Sequence, residues 1–289
     1  MNPDLKLFPP ELLKAAGMLV PIPENGGTAF SSGRHRSSLR GDSSEFQDFR
    51  SYTPGDDLRR LDWNIFLRFR KLLVRQYRNF PRKKHLIIMD DSQSIRFRSC
   101  RADLVWRLAA LIAGPLLTAG DSVTVQTGES TRRACFSPGR QSIVPLLEEL
   151  TAGYHVKKAG RPLSFRLPGD YHCWIISDFM DPDGLAHLEK RLKESRGFTP
   201  VRIYEPEELE PRLETEVRLI DAESGREIVV NGSQVVVNRY RVCMKHFERL
   251  LTLPAGRIGS RVYAFSTALK VPELIRECGR ELFPGGGRR

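Results

Sequence analysis

The 289-residue sequence contains no long hydrophobic run, no cysteine pairing pattern and no closely spaced pair of histidines. Its longest apolar stretch, Leu104 to Leu117, is interrupted by Arg107 and Pro115. A membrane-spanning helix needs about 20 apolar residues, so none is expected. The first residues carry Asp4 and Lys6 and no apolar run, so no signal peptide is expected either. The five cysteines stand at 100, 135, 173, 243 and 278, an odd number without a CxxC. That argues against a disulfide framework and a zinc ribbon, and it predicts a reducing, cytoplasmic setting. No HxxxH or HxH occurs among the six histidines. Also missing are GxxxxGK[ST], GxGxxG after a strand, GxSxG and HExxH. Their absence removes the common signatures of nucleotide loops, serine hydrolases and zinc proteases.

Hydrophobic residues make up 40% of the chain and charged residues 28%, the balance of a water-soluble globular protein. The net charge of +11 is unevenly placed. Between Arg34 and Lys84 there are fourteen Lys/Arg against six Asp/Glu, a local excess of +8. Such a segment fits nucleic acid, an anionic surface or an acidic protein; a solvated basic face is the plainer reading.

The pattern changes twice along the chain. Prolines 9, 10, 21 and 23 and Gly26-Gly27 punctuate residues 1–32, which are expected to be weakly structured around a short helical pattern at Glu11–Leu19. Residues 33–82 are charged, aromatic and turn-rich. The eight aromatics from Phe46 to Phe80 are expected to pack this segment onto the main domain, with Trp63 among the buried ones. From Lys83 to about residue 284, short apolar runs alternate with helical spacing. Strands are read at 85–90, 122–126, 133–136, 171–179, 201–204 and 261–265. Helices are read at 102–118, 143–150, 183–195, 235–251 and 272–283, and a hairpin at 217–230. This alternation predicts an α/β domain whose mostly parallel sheet is covered on both faces.

The sharpest motif is Asp90-Asp91-Ser92-Gln93-Ser94, a DxSxS at the end of the apolar run His85–Met89. In an open α/β sheet, ligands bind beyond the carboxyl ends of the strands. A carboxylate and two hydroxyls there are hard oxygen donors suited to Mg²⁺. The alternative is that Ser92 and Ser94 cap the helix beginning near Ala102, or hold the loop. A second apolar strand ends likewise, at Ser177-Asp178. If the two strands are neighbours, Asp90 and Asp178 meet at one edge; otherwise Asp178 is a first-turn helix acid.

The basic segment carries a denser constellation. It reads Gly33, His35, Ser37, Gly41, Glu45, Phe46, Arg50, Tyr52, Pro54, Gly55, Asp56, Asp57, Arg59, Asp62 and Trp63. Acids among arginines around a Pro-Gly turn predict a loop tied by bidentate Arg–carboxylate bonds. The interleaved aromatics could instead stack on single-stranded nucleic acid, although the acids would repel phosphate.

These residues and the DxSxS that follows them resemble a bacterial family catalogued as domain of unknown function 58. The resemblance implies a von Willebrand factor A-like (Rossmann-like) parallel sheet with helices on both faces, preceded by an N-terminal extension and carrying the β-hairpin as an insertion. It also implies a metal-ion-dependent adhesion site, in which Asp90, Ser92, Ser94 and Asp178 would hold Mg²⁺ and a partner's carboxylate would complete the shell. The threonine such sites also use has no positional match, Thr151 and Ser164 being the nearest hydroxyls. The family association is with MoxR-type AAA+ ATPases, in chaperone-like maturation of client proteins. The leading expectation is therefore a non-enzymatic protein-binding adaptor. The alternatives are a nucleic-acid-binding protein acting through residues 34–84 and a metal-dependent phosphohydrolase using Asp90 and Asp178.

Overall fold

Runs that are apolar at consecutive positions can bury both faces of a strand, and in the computed structural model they form the middle of a sheet. The described residues are 4–18, 44–58, 61–79, 82–128, 133–156, 170–180, 198–211, 216–222, 225–257 and 260–283. They fall into two units, residues 1–32 with 83–289 and residues 33–82.

In the larger unit, β3 (Lys84–Met89), β4 (Ser122–Thr127), β5 (Arg133–Phe136), β6 (His172–Ser177), β7 (Phe198–Tyr204) and β10 (Tyr263–Ser266) form one six-stranded sheet. The spatial order is β10-β7-β6-β3-β4-β5. All neighbours are parallel except β4 and β5. The first of these strands is central, the next two extend one way and the last three the other. This is the doubly wound order of a von Willebrand factor A-like domain, with its point of reversal between β3 and β6.

Side-chain alternation sorts the core into two layers. Ile87, Met89, Val125, Trp174, Ile176, Val201 and Ile203 pack on one face with the helix α4 (Ser99–Thr118). Fourteen residues of α4 are buried, so it has almost no polar face. Leu86, Ile88, Cys173, Ile175 and Phe198 pack on the other face with Met244, Phe247 and Leu251 of α5 (Gln234–Arg257). The hairpin of β8 (Glu216–Ile220) and β9 (Glu227–Asn231) forms where alternation and Glu223-Ser224-Gly225 placed it. The helix expected at 183–195 lies outside the described residues.

Residues 1–32 correct the sequence reading over part of their length. The helix α1 (Pro10–Met18) belongs to the sheet unit, and Leu7, Phe8 and Leu12 are buried in its core. Pro9 precedes the helix and Pro10 is its first residue, and proline is well tolerated at a helix start. Arg107 of α4 reinforces the docking, donating to the carbonyls of Leu7 at 2.8 Å and Lys6 at 3.1 Å.

In the smaller unit, β1 (Ser44–Ser51) and β2 (Leu73–Asn79) pair antiparallel, with an irregularity between Phe46 and Asp48. The sequence shows no clean alternation there because that irregularity breaks the period of two. Between these strands lies α2 (Trp63–Phe69), capped by Asp62, which accepts from the amides of Asn64 and Ile65. Trp63 is 54% exposed and Phe69 67% exposed, contrary to the expectation that this tryptophan is buried. A seven-residue helix beside a two-stranded sheet has little core to enter. Trp63→Ala is therefore expected to cost under about 1 kcal/mol in urea unfolding, within the range of surface changes.

At the amino end of the sheet, Trp174 donates to His85 Nδ1 at 3.2 Å, so His85 must carry its proton on Nε2, 3.1 Å from Asp121. Beside it, burial, aided by the nearby His85 and Lys83, pushes the His172 imidazole down to about 4. An imidazole ordinarily titrates near 6.5, so between those values the unfolded chain takes up a proton that the fold refuses. The stability from neutral His172 is complete above about pH 6.5 and is lost as pH falls toward 4. Urea unfolding at pH 7 and pH 5 should show a loss of about 2 kcal/mol that His172→Gln removes. An unchanged pH dependence in that variant would refute this assignment.

Candidate functional site

The reversal point of a doubly wound sheet opens a crevice between the two halves of the fold. Here β3 and β6 border it, and register pairs Met89 with Ile176. Asp90 follows the first strand and Asp178 lies just past the second, so both carboxylates stand at one sheet edge, as the two apolar runs predicted. Both residues are buried. The two loops are joined directly. The Asp90 amide donates to the Ile176 carbonyl at 2.9 Å. Ser177 Oγ donates to Asp90 Oδ2 at 2.5 Å and accepts from the Phe179 amide at 2.9 Å.

The DxSxS loop folds around its own acid. The Ser92 amide donates to Asp90 Oδ1 at 2.9 Å, and the hydroxyls of Ser92 and Ser94 lie 3.0 Å apart. The short helix α3 (Gln93–Arg96) begins here, and Ser92 occupies its N-cap position without making a side-chain cap bond. The helix expected near Ala102 begins at Ser99 with Arg98 at its N-cap, so neither serine caps it, and the Ser92 hydroxyl is turned to Ser94 within the loop. The intervening Asp91 is structural. It pairs with Arg96, which donates to the carbonyls of Tyr154 at 2.6 Å and Gly153 at 3.1 Å. Arg96 also lies over the Trp106 ring, 4.7 Å from its centroid.

Burial first, and the neighbouring Asp178 charge second, raise the Asp90 carboxyl well above the ordinary carboxylate range. The hydrogen bonds from Ser177 and Ser92 pull the other way without offsetting this. A buried carboxyl raised by burial and by a second carboxylate beside it belongs to a donor set whose charge a divalent cation would relieve. Asp90, Ser92, Ser94 and Asp178 thus fit Mg²⁺ in chemistry. Among the described residues, no group of three or more His, Cys, Asp or Glu is placed to hold a metal. A cation here would rely on hydroxyl oxygens and on oxygens from outside the chain.

The sheet edge also holds groups that sequence reading missed. Phe179, next to Asp178, has φ 59°, a left-handed conformation unusual for an aromatic residue. Such strain costs about 1–3 kcal/mol and gathers where a fold must aim a side chain. Thr127 ends β4 opposite Met89, on the same edge as Asp90. Thr151 lies elsewhere, its hydroxyl donating to the Leu147 carbonyl at 2.7 Å and accepting from the Asp4 amide at 3.3 Å. Ser164 lies outside the described residues.

The largest omission is Arg101. Its Nη1 donates to Asp178 Oδ2 at 3.1 Å and its Nε to Glu205 Oε1 at 2.7 Å, while Nη2 pairs with Glu208. Arg98 takes the other Glu205 oxygen at 2.7 Å. The available signal was Arg98 and Arg101, three apart at a helix start, with Glu205-Pro206-Glu207-Glu208 after a later strand.

In the smaller unit, Arg50 and Asp56 form the bidentate pair that the sequence suggested; one of its bonds spans 2.7 Å. The Thr53 amide and hydroxyl also donate to Asp56, each at 2.9 Å. Arg50, followed by the Thr53 amide, holds the Asp56 carboxyl well below the usual range. Gly55 turns the loop at φ 107°, where a side chain would be strained. Glu45 and Phe46 lie in β1. Gly33, His35, Ser37, Gly41 and Arg59 lie outside the described residues.

A doubly wound α/β domain with an acidic, hydroxyl-lined edge at its reversal point is the class these features define: von Willebrand factor A-like. The model of the family described as "Protein of unknown function DUF58" matches residues 48–246, and the chain belongs to that family. It is 26% identical over 206 residues to uncharacterized proteins of Mycobacterium bovis and of two strains of Mycobacterium tuberculosis. Those matches cover 67% of this chain and 65% of each mycobacterial protein. Among solved structures, it is similar to a crystal structure of the conserved hypothetical protein BatB from Bacteroides thetaiotaomicron. That match has 11% identity and a TM-score of 0.34, over 68% of this chain and 98% of that one. Among the described residues, no helix is long and apolar enough to cross a membrane.

Proposed function

We propose that this chain is a non-enzymatic adaptor whose sheet edge docks a partner protein through a cation. Asp90, Ser92, Ser94 and Asp178 would hold Mg²⁺, and the bound cation would supply an open position for a carboxylate of the partner. The observation that carries the reading is the meeting of Asp90 and Asp178 at the reversal point, with the Ser92 and Ser94 hydroxyls turned to each other beside them. Two carboxylates and two hydroxyls are few charges for a hydrolytic two-metal centre, which favours docking over phosphohydrolysis. A cytoplasmic MoxR-type AAA+ ATPase, or its client, is the partner that the family resemblance suggests.

The test is calorimetric binding of a purified MoxR-type ATPase from the same organism, in Mg²⁺ and in EDTA. Affinity should fall at least roughly ten-fold in EDTA and in an Asp90→Ala, Ser92→Ala double variant. Equal affinity under all conditions would remove the sheet edge as the docking surface. Steeply salt-dependent binding to nucleic acid, with no binding to the ATPase, would favour the basic-segment reading instead.

A further inference from the structure

Asp178 already has a cationic partner within the chain. The Arg101 guanidinium donates to Asp178 Oδ2, while Oδ1 accepts from the Met180 amide at 3.0 Å. Both side chains are largely buried, Arg101 at 15% and Asp178 at 2% exposure, so solvent screens the pair little. Asp90 is treated differently: among the described residues its bonding partners are Ser92 and Ser177, and neither is charged.

Arg101 also has somewhere to go. Its Nε is held by Glu205, and it pairs with Glu208 through Oε1. The second Glu208 oxygen, Oε2, is buried and has no hydrogen-bond partner. Five N–H donors in a rigid fork let a guanidinium exchange one acceptor for another while keeping the rest. A cation arriving at Asp178 would repel Arg101. The side chain could leave Asp178, keep Glu205 and satisfy Glu208 Oε2, with no buried charge left alone.

We infer that Arg101 is a built-in counter-ion that occupies the Asp178 side of the site and yields it to a divalent cation by shifting onto Glu208. It is a positioning residue: it ties the loop after β6 to the loop after β7 in the metal-free state and lets go of the first when the cation binds. The inference rests on the docking-site reading above. It adds a coupling that the four-residue motif lacks, because cation binding is then felt at Glu205 and Glu208.

The test is Mg²⁺ titration of the full chain by calorimetry and by thermal unfolding, with no ATPase present. Arg101→Gln should tighten Mg²⁺ binding roughly ten- to hundred-fold, the scale of one charge-assisted hydrogen bond. Arg101→Lys, which keeps the charge, should fall between that variant and wild type. Glu208→Gln should act in the opposite direction, weakening Mg²⁺ binding because a neutral amide with a single acceptor oxygen draws Arg101 away less than the carboxylate does; this arm also serves if Arg101→Gln does not fold. Arg98→Gln removes a nearby charge that bonds Glu205 but not Asp178, and should leave affinity within about two-fold of wild type. Equal tightening by Arg98→Gln and Arg101→Gln would overturn the inference, reducing it to a general field. So would unchanged affinity in Arg101→Gln and Glu208→Gln when wild type binds Mg²⁺ and Asp90→Ala does not; the docking-site reading would survive that result. Absence of Mg²⁺ binding in wild type and Arg101→Gln alike would overturn both.

Discussion

Gly114→Ala is expected to unseat helix α1 and to destabilise the protein by about 3–5 kcal/mol. A Cβ at position 114 would lie 2.2 Å from the carbonyl oxygen of Ala16 and 2.8 Å from its carbon. Those are backbone atoms inside a helix, so no rotamer change relieves the clash. Either α4 distorts, which the packing around its fourteen buried residues resists, or α1 moves away. Moving it exposes Leu7, Phe8 and Leu12, each worth about 1.5–3 kcal/mol of burial. Gly17→Ala is the internal control, because its added carbon would meet only Ile143 Cδ1 at 3.8 Å. That change should be neutral or slightly stabilising, since alanine is the better helix former. Urea unfolding of both variants, with limited proteolysis of residues 4–18, checks the contrast. A Gly114→Ala protein that loses less than about 1 kcal/mol, with α1 still protected, would show that the helices do not need this close approach.

Asp90→Asn is expected to stabilise the metal-free protein by about 2 kcal/mol at neutral pH and to abolish any Mg²⁺-dependent gain. The native carboxyl is raised, first by burial and then by Asp178. A group raised in the fold contributes stability below its unfolded pKa, near 3.9, and loses that contribution as pH climbs through its folded value. Asparagine has nearly the same shape and no charge to lose. Its oxygen can still accept from the Ser92 amide, and its NH₂ can donate to the Ser177 hydroxyl, which has a second lone pair available. Wild type should fall behind the variant in EDTA and recover ground as Mg²⁺ is added, since a ligand that binds only the fold adds RT ln(1 + [L]/Kd). The check is thermal unfolding of both proteins across pH 4–8, in EDTA and in Mg²⁺. Identical stability in EDTA would mean that the paired acids are not under electrostatic tension.

Several features were legible because they depend on local pattern. Apolar runs such as Leu86–Met89 and Trp174–Ile176 can satisfy both faces of a strand only inside a covered sheet, so strand identity follows from the residues alone. The acid that closes each run falls at a carboxyl end by the same logic, which is how Asp90 and Asp178 could be named. The hairpin at 216–231 and the Arg50–Asp56 loop were readable from alternation and turn chemistry over a few residues.

Other features depend on where distant segments meet, and a one-dimensional pattern does not hold that information. That α1 lies across α4 is decided by Gly114, whose missing side chain matters only once Ala16 is beside it. That Trp63 is exposed reflects the little core its own unit offers, not any property of tryptophan. The same holds at the sheet edge. The order β6-β3-β4, which makes Asp90 and Asp178 neighbours, is a choice of topology, and only that choice turns two strand-end acids into one site. Arg101 stands 77 residues from Asp178 and 107 from Glu208, and its spacing from Arg98 along the chain does not by itself say which acids it will meet. The sequence by itself determined the class of fold and the acids at its strand ends, because hydrophobic burial acts residue by residue. Tertiary structure decided which charges face one another, because electrostatic pairing depends on distance through space, and only the folded chain brings these groups within a few ångströms.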